Sequence, residues 1–255
     1  MTTVLLAVGF GSLIGILLGL VGGGGSILTV PILVYVLGLG VHEATATSLV
    51  IVGATAAVGA IPHARAGRVA AKTALLFGGA GIAGAFMGTA LNARVSGPVI
   101  LLLLGLLMLV VAARMALAHR PEPVEPDVAP TVGLRWEVFI GGLVVGVMTG
   151  FFGVGGGFLI VPALVLVLGL PMRLAVGTSL VVIAINAAAG VVANLGTGGV
   201  DLPLALLFVV GGALGATLGG RLAGTIDESK LARGFAALVA GVGLYLIARN
   251  AAALG

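Results

Sequence analysis

The chain has 255 residues, 60% of them hydrophobic and only 8% charged, and its mean hydropathy is +1.31. Soluble domains carry about 25% charged residues, so a water-soluble fold is excluded and the chain reads as an integral membrane protein whose first partner is the lipid bilayer. It has no cysteine, which removes disulfides, iron–sulfur clusters and thiol chemistry, and its net charge of +4 is assigned to basic loops that set orientation, with no nucleic acid implied.

A helical span needs about 20 mostly apolar residues. The N-terminus, Met1-Thr-Thr-Val-Leu-Leu6, runs straight into apolar sequence without a basic leader, so the first segment, 3–21, is expected to be a retained span and not a signal peptide. Further apolar segments follow at 26–41, 44–61, 73–91 and 98–117. Then comes His119-Arg-Pro-Glu-Pro-Val-Glu-Pro-Asp-Val-Ala-Pro130, whose prolines and carboxylates make an extended polar linker. Five more apolar segments lie at 136–152, 157–170, 174–192, 203–220 and 231–248. Segments 26–41 and 157–170 are short, each follows a glycine cluster, and each contains a proline, Pro31 or Pro162. Pro31 is placed near a first helical turn, where proline is tolerated. Whether these two segments cross the membrane or re-enter stays open. The expected fold is all-α and membrane-integral, with about 8–10 membrane segments. Its units are a first repeat at 1–118, a cytoplasmic linker at 119–135 and a second repeat at 136–255.

The halves are copies. Gly19-Leu-Val-Gly-Gly-Gly-Gly-Ser-Ile-Leu-Thr-Val-Pro31 aligns with Gly150-Phe-Phe-Gly-Val-Gly-Gly-Gly-Phe-Leu-Ile-Val-Pro162, an offset of 131. The same register pairs Thr47-Ser48-Leu49-Val50 with Thr178-Ser179-Leu180-Val181, and Gly81, Gly84 and Gly88 with Gly212, Gly215 and Gly219. Charge then distinguishes parallel from inverted repeats. The loop with His63, Arg65, Arg68 and Lys72 is basic, whereas its counterpart, Asn194 to Asp201, has no Lys or Arg. Lys and Arg favour the cytoplasmic side, so equivalent loops are expected on opposite sides. Arg114, Arg120 and Arg135 place the linker in the cytoplasm, Arg221, Lys230 and Arg233 place the loop after the ninth segment beside it, and the N-terminus is expected outside. Arg94 and Arg249 fall against this arrangement. Inverted repeats are characteristic of secondary transporters.

Irregular backbone at membrane depth survives only where protein buries it or where it lines a wet cavity. Transporter sites are often built there from broken helices whose N-terminal ends face an anion. The candidate binding residues are therefore Gly22, Gly23, Gly24, Gly25 and Ser26 in the first copy, and Gly153, Gly155, Gly156 and Gly157 in the second. Thr47, Ser48, Thr178 and Ser179 offer hydroxyls, although hydroxyls in membrane helices often bond one turn back. Asn186, opposite Thr55 in the repeat register, is a costly amide inside a span and serves either the ligand or helix association. His63, Asn194 and His42-Glu43 are read as solvated groups at segment ends. No Asp, Glu, Lys or Arg lies deep in segments one to four or six to nine. Intramembrane carboxylates of the kind proton pumps use are thus absent. No metal motif, P-loop or catalytic set can be named, so no cofactor, no metal and no enzymatic activity are expected.

The two glycine runs, with Ala44-Thr-Ala-Thr-Ser-Leu-Val50 and Ala175-Val-Gly-Thr-Ser-Leu-Val181, resemble the TauE/SafE family over nearly the whole chain. The resemblance implies an inner-membrane permease for sulfur-containing anions, sulfite or organosulfonates such as sulfoacetate, with export the usual direction. It also carries a substrate role onto both glycine loops. The expectation is a secondary transporter working by alternating access. The alternatives are a passive anion channel with the same fold or a non-transporting membrane scaffold. A homo-oligomer is left open.

Overall fold

The computed structural model describes residues 2–23, 25–117, 136–154, 157–194, 199–222 and 228–251. Among them the first half holds α1 (Thr2–Val21), α2 (Ser26–Tyr35), α3 (Val41–Arg65), α4 (Ala71–Asn92) and α5 (Gly97–Leu117). The second half holds α6 (Trp136–Phe152), α7 (Gly157–Pro162) continued by a π-helical turn at Ala163–Val167, α8 (Met172–Asn194), α9 (Leu202–Leu222) and α10 (Glu228–Ala251). No strand occurs among the described residues. Six helices, α1, α3, α4, α5, α8 and α9, are long and apolar enough to cross a membrane, and α2, α6 and the apolar part of α10 add shorter segments.

Several boundaries differ from expectation. Helix α3 begins at Val41, so His42 and Glu43 form its exposed first turn instead of a loop. An acidic residue there suits the positive end of the helix. Helix α2 stops at Tyr35. At ten residues it is about 15 Å long, half of a hydrocarbon core of about 30 Å. Pro31 is its sixth residue, past the first turn, where it has no N–H for the carbonyl of Ile27. Pro162 ends the regular part of α7, and the chain continues with the wider π turn.

Small residues set the packing. Helices α1 and α9 run side by side in the same direction. Gly11 lies on the backbone of Phe208, Gly15 on Gly212 and Gly19 on Ala216. Helices α4 and α6 repeat the pattern, with Gly142 on Phe77, Gly146 on Gly81 and Gly150 on Ala85. At these positions a methyl group would collide with the neighbouring backbone, which is why glycine recurs at helical spacing. Each contact in one pair becomes a contact in the other under the 131-residue offset. The remaining principal contacts behave likewise: α3 with α9 matches α8 with α4, α2 with α3 matches α7 with α8, and α3–α8, α5–α10 and α2–α7 map onto themselves.

At the centre, α3 and α8 cross in opposite directions, with Leu49 against Gly190, Gly53 against Ala187 and Gly59 against Leu180. The bundle therefore has two definable ends. One gathers His42, Asn92, Phe151, Tyr35 and Asn250 through the His42–Asn92, Asn92–Phe151 and Asn250–Tyr35 hydrogen bonds. The other gathers His63, Gly220, Arg68, Gly177, Ala70 and Thr178. Arg65, Arg68, Lys72, Arg114, Arg173 and Arg221 stand at this second end, and Arg94 and Arg249 at the first. The outward faces are apolar: Leu75, Leu206, Leu214 and Val110 are more than half exposed, as lipid-facing residues are.

Candidate functional site

Both glycine breaks open with a left-handed glycine, Gly22 at φ 74° and Gly153 at φ 67°. A side chain there would be strained and would also meet α8 or α3. At Gly22 a Cβ would lie 2.7 Å from Ser179 Oγ and from Val176 Cα. At Gly153 it would lie 2.5 Å from Thr45 Cγ2 and 2.6 Å from Thr45 Cα. Each break is thus folded onto the long central helix of the opposite half.

The Thr-Ser pairs explain how. Ser179 Oγ shares its proton between the Gly22 carbonyl at 2.6 Å and the Val176 carbonyl at 2.8 Å. Ser48 Oγ does the same with the Gly153 carbonyl and the Thr45 carbonyl. Thr178 Oγ1 accepts the Ala70 N–H at 2.9 Å, and Thr47 Oγ1 accepts the Asp201 N–H at 3.0 Å. The serines pin the breaks and the threonines pin the loops leading into α4 and α9. All four are buried, and both serine protons are already committed to backbone carbonyls. All four clamp the site. Thr47 and Thr178 act here as acceptors and keep their protons, whereas the serines have no spare proton for an oxyanion. Ser26 is similar, since its Oγ donates to the Gly23 carbonyl at 2.7 Å.

The two breaks touch. Gly23 lies against the Gly157 carbonyl, and a Cβ on Gly157 would stand 2.7 Å from Gly23 Cα and 2.6 Å from Ile183 Cδ1. Ile183 is the midpoint of α8. Gly25 packs on Ile14 and Leu18, level with Gly15, which meets Gly212, which in turn meets Thr55 halfway along α3. Helix α2 therefore starts near mid-height and runs to the end marked by Tyr35 and Asn250. Helix α7, its partner under the offset, starts at the same height. Gly24, Gly155 and Gly156 lie outside the described residues.

Polar groups without partners mark the same depth. Thr55 and Asn186 are fully buried, face each other's level across the α3–α8 crossing, and have no hydrogen-bond partner for Thr55 Oγ1 or for either amide atom of Asn186. Thr55 sits against Gly212, and Asn186 2.6 Å (Nδ2) from where a Cβ on Gly81 would be. Thr29, in the second turn of α2, is likewise fully buried with an unpartnered hydroxyl. The sequence reading passed over it because one hydroxyl in an apolar segment carries no pattern. His63 departs from its expected place at a solvated segment end: it is 4% exposed and neither ring nitrogen has a partner. Asn194 bonds locally to the Gly190 carbonyl at 2.8 Å. Among the described residues no Asp, Glu, Lys or Arg is buried and no cluster could hold a metal ion. Unsatisfied buried polar atoms are uncommon and call for a ligand, a water or a functional role. The arrangement offers neutral dipoles, helix N-termini and one amide, which suits a small anion held weakly.

Comparison with known proteins agrees with a transport role. The family described as "Sulfite exporter TauE/SafE" matches residues 6–246. A "Probable membrane transporter protein" of Xylella fastidiosa (strain 9a5c) is 37% identical over 99% of this chain and 98% of its own length. The "Probable membrane transporter protein YdhB" of Bacillus subtilis (strain 168) is 29% identical over 92% of this chain and 96% of its own. A similarly named protein of Methanocaldococcus jannaschii is 25% identical over 95% of this chain and 94% of its own. No solved structure matches significantly. With the family match running almost from end to end of a bundle of apolar helices, the chain is a membrane transporter and belongs to the TauE/SafE sulfite exporter family.

Proposed function

We propose that the protein is a secondary transporter of small sulfur-containing anions, sulfite or organosulfonates such as sulfoacetate, exporting them by alternating access between two inverted repeats. The observation that carries this reading is the contact of Gly23 with Gly157 at mid-height, where two short helices begin and run apart. Two helix N-termini converge there, each bringing a partial positive charge, although at α2 the Ser26 and Leu28 N–H groups already donate to the Gly23 and Gly25 carbonyls. An oxyanion placed between them would be held without a buried arginine, weakly enough to leave. Thr29, Thr55 and Asn186 would add polar contacts at the same depth.

The inverted arrangement is supported by the opposite directions of α3 and α8 and by the exchange of contacts under the 131-residue offset. The basic end, with Arg65, Arg68, Lys72, Arg114, Arg173 and Arg221, is assigned to the cytoplasm and the N-terminus to the outside of an inner membrane. Both α2 and α7 cover only part of the thickness. Alternating access then consists of the two break-bearing hairpins rocking against the α3–α8 pair to which serines pin them. The reading is tested by sulfite and sulfonate flux in proteoliposomes. Saturable flux lost in Gly23→Val and in Gly157→Val supports it. Flux linear in concentration points to a channel, and no flux of any anion to a scaffold.

A further inference from the structure

The anion cradle leaves His63 unexplained. It sits in the last turn of α3 at the basic end, and three elements enclose it. From α8, a Cβ on Gly177 would be 3.0 Å from His63 Cβ, and from α9 one on Gly220 would be 3.5 Å from His63 Nε2. From α1, the backbone of Gly19 lies beside the ring. Gly177 leaves no space for a side chain beside His63, and Gly220 borders the ring at ordinary contact distance. Its counterpart in the other half is Asn194, so only one half carries a titratable group here.

The charges on the elements packed around it are of one sign. Arg65 and Arg68 follow it in the chain, Lys72 opens α4, Arg173 lies one turn before Gly177 on α8, and Arg221 follows Gly220 on α9. Helix α1 contributes no charge, and among the described residues of α1, α4, α8 and α9 there is no carboxylate. Glu43, the acidic residue of α3, is at the opposite end, while Glu137 and Glu228 open α6 and α10 at the same end, outside the elements that enclose the ring. A proton on this imidazole therefore has no resident counter-ion and several cations nearby. Left neutral, the ring makes no full hydrogen bond through either nitrogen, with only the Gly19 backbone near enough to serve as a weak partner for one of them. An anion moving between the basic end and the cradle relieves both conditions as it passes the ring, and from the cradle, about 12 Å further along α3, it still acts on the ring through its charge.

We infer that His63 is a proton-binding site coupled to anion occupancy, taking up one proton from the basic side as the anion arrives and releasing it when the anion leaves. The inference rests on the anion reading above. No covalent bond changes; one proton and one monovalent anion enter together, so the loaded state adds no net charge. Linkage is reciprocal: if the anion favours the protonated ring, protonation tightens anion binding by the same factor. Histidine is the side chain whose ordinary titration lies near neutrality, and a bound anion draws the ring towards its protonated form.

The test uses the purified full-length protein and methanesulfonate, whose charge does not change across the range from about pH 6 to 9 where histidine switches. Calorimetric titrations in buffers of different ionisation enthalpy count protons taken up on binding. The wild type takes up a fraction approaching one proton, and its affinity falls by up to about tenfold per pH unit above the imidazole titration. His63→Gln and His63→Asn, checked for monodispersity and melting, bind with flat pH dependence and no uptake. His42→Gln, at the other end of α3, behaves as wild type. Binding by the wild type without proton uptake, or unchanged uptake in both His63 variants, overturns the inference while leaving the anion site standing. Absence of methanesulfonate and sulfite binding at every pH removes the anion reading and this inference with it.

Discussion

The break after α1 and the break after α6 are built on one plan and finished differently. Their shared part is backbone: a left-handed glycine, a carbonyl held by the serine of the opposite half, and a short proline-bearing helix starting at mid-height. Their differences lie in side chains and helix geometry. The first break carries Ser26 and Thr29 where the second has Gly157 and Ile160. Thr29 is buried with an unpartnered hydroxyl, whereas Ile160 is buried in an apolar cluster. Helix α2 is regular for ten residues, while α7 passes into a π turn after Pro162. π turns widen the backbone and recur at functional sites. The comparison teaches that the shared backbone brings the two breaks together, while their unequal side chains give the proposed site two different walls.

The largest expected effect comes from breaking what the halves share. Gly23→Val or Gly157→Val drives a branched side chain into the facing backbone. Overpacking of this kind costs about 1–3 kcal/mol or more, and transport of sulfite into proteoliposomes is expected to fall at least about tenfold in each variant. Equal losses sharpen the shared-scaffold view; a loss in one variant alone breaks it.

Asn186→Leu comes next. If the amide has no ligand, removing an unsatisfied buried polar group is neutral or stabilising. The account expects the melting temperature to hold or rise while anion affinity falls about tenfold, near the upper range for one neutral hydrogen bond. A stabilised variant with unchanged affinity would reduce Asn186 to packing against Gly81.

Thr29→Val removes the hydroxyl found in the first break alone. Anion binding is expected to weaken about fivefold, equivalent to about 1 kcal/mol, with Ile160→Val as the matched control showing no change in affinity. The smallest and most symmetric effect belongs to the clamps. Ser48→Ala and Ser179→Ala each remove the same interhelix hydrogen bond, so each should lower stability by about 1 kcal/mol, to the same extent, in thermal melting. Unequal losses would mean that the two breaks are not held alike.

Much of the scaffold was legible beforehand, because a bilayer forces apolar runs of span length and tolerates glycine clusters only for a reason. The ten segments, the 131-residue register and the pairing of the glycine breaks all follow from that. What escaped depends on where protons and rings point. Thr47, Ser48, Thr178 and Ser179 stand out by their recurrence as candidate ligand groups, yet a sequence does not say that the serine protons end on the Gly22 and Gly153 carbonyls. His63 read as an interface residue because it lies two residues from the end of α3, and only the approach of Gly177 and Gly220 buries it. Thr29 was invisible for want of any repeat partner. The π turn after Pro162 has no signal in the letters, since α2 carries Pro31 at the matching position and stays regular.

The central claim is that the two breaks form one anion site reached from water. Because the chain has no cysteine, a single Thr29→Cys variant reports on that site directly. Its modification by a small water-soluble thiol reagent should proceed in membranes and slow in proportion to added methanesulfonate, with half-protection at the concentration that half-saturates transport. A cysteine at this position that never reacts, or that reacts at the same rate at every anion concentration, would contradict the account.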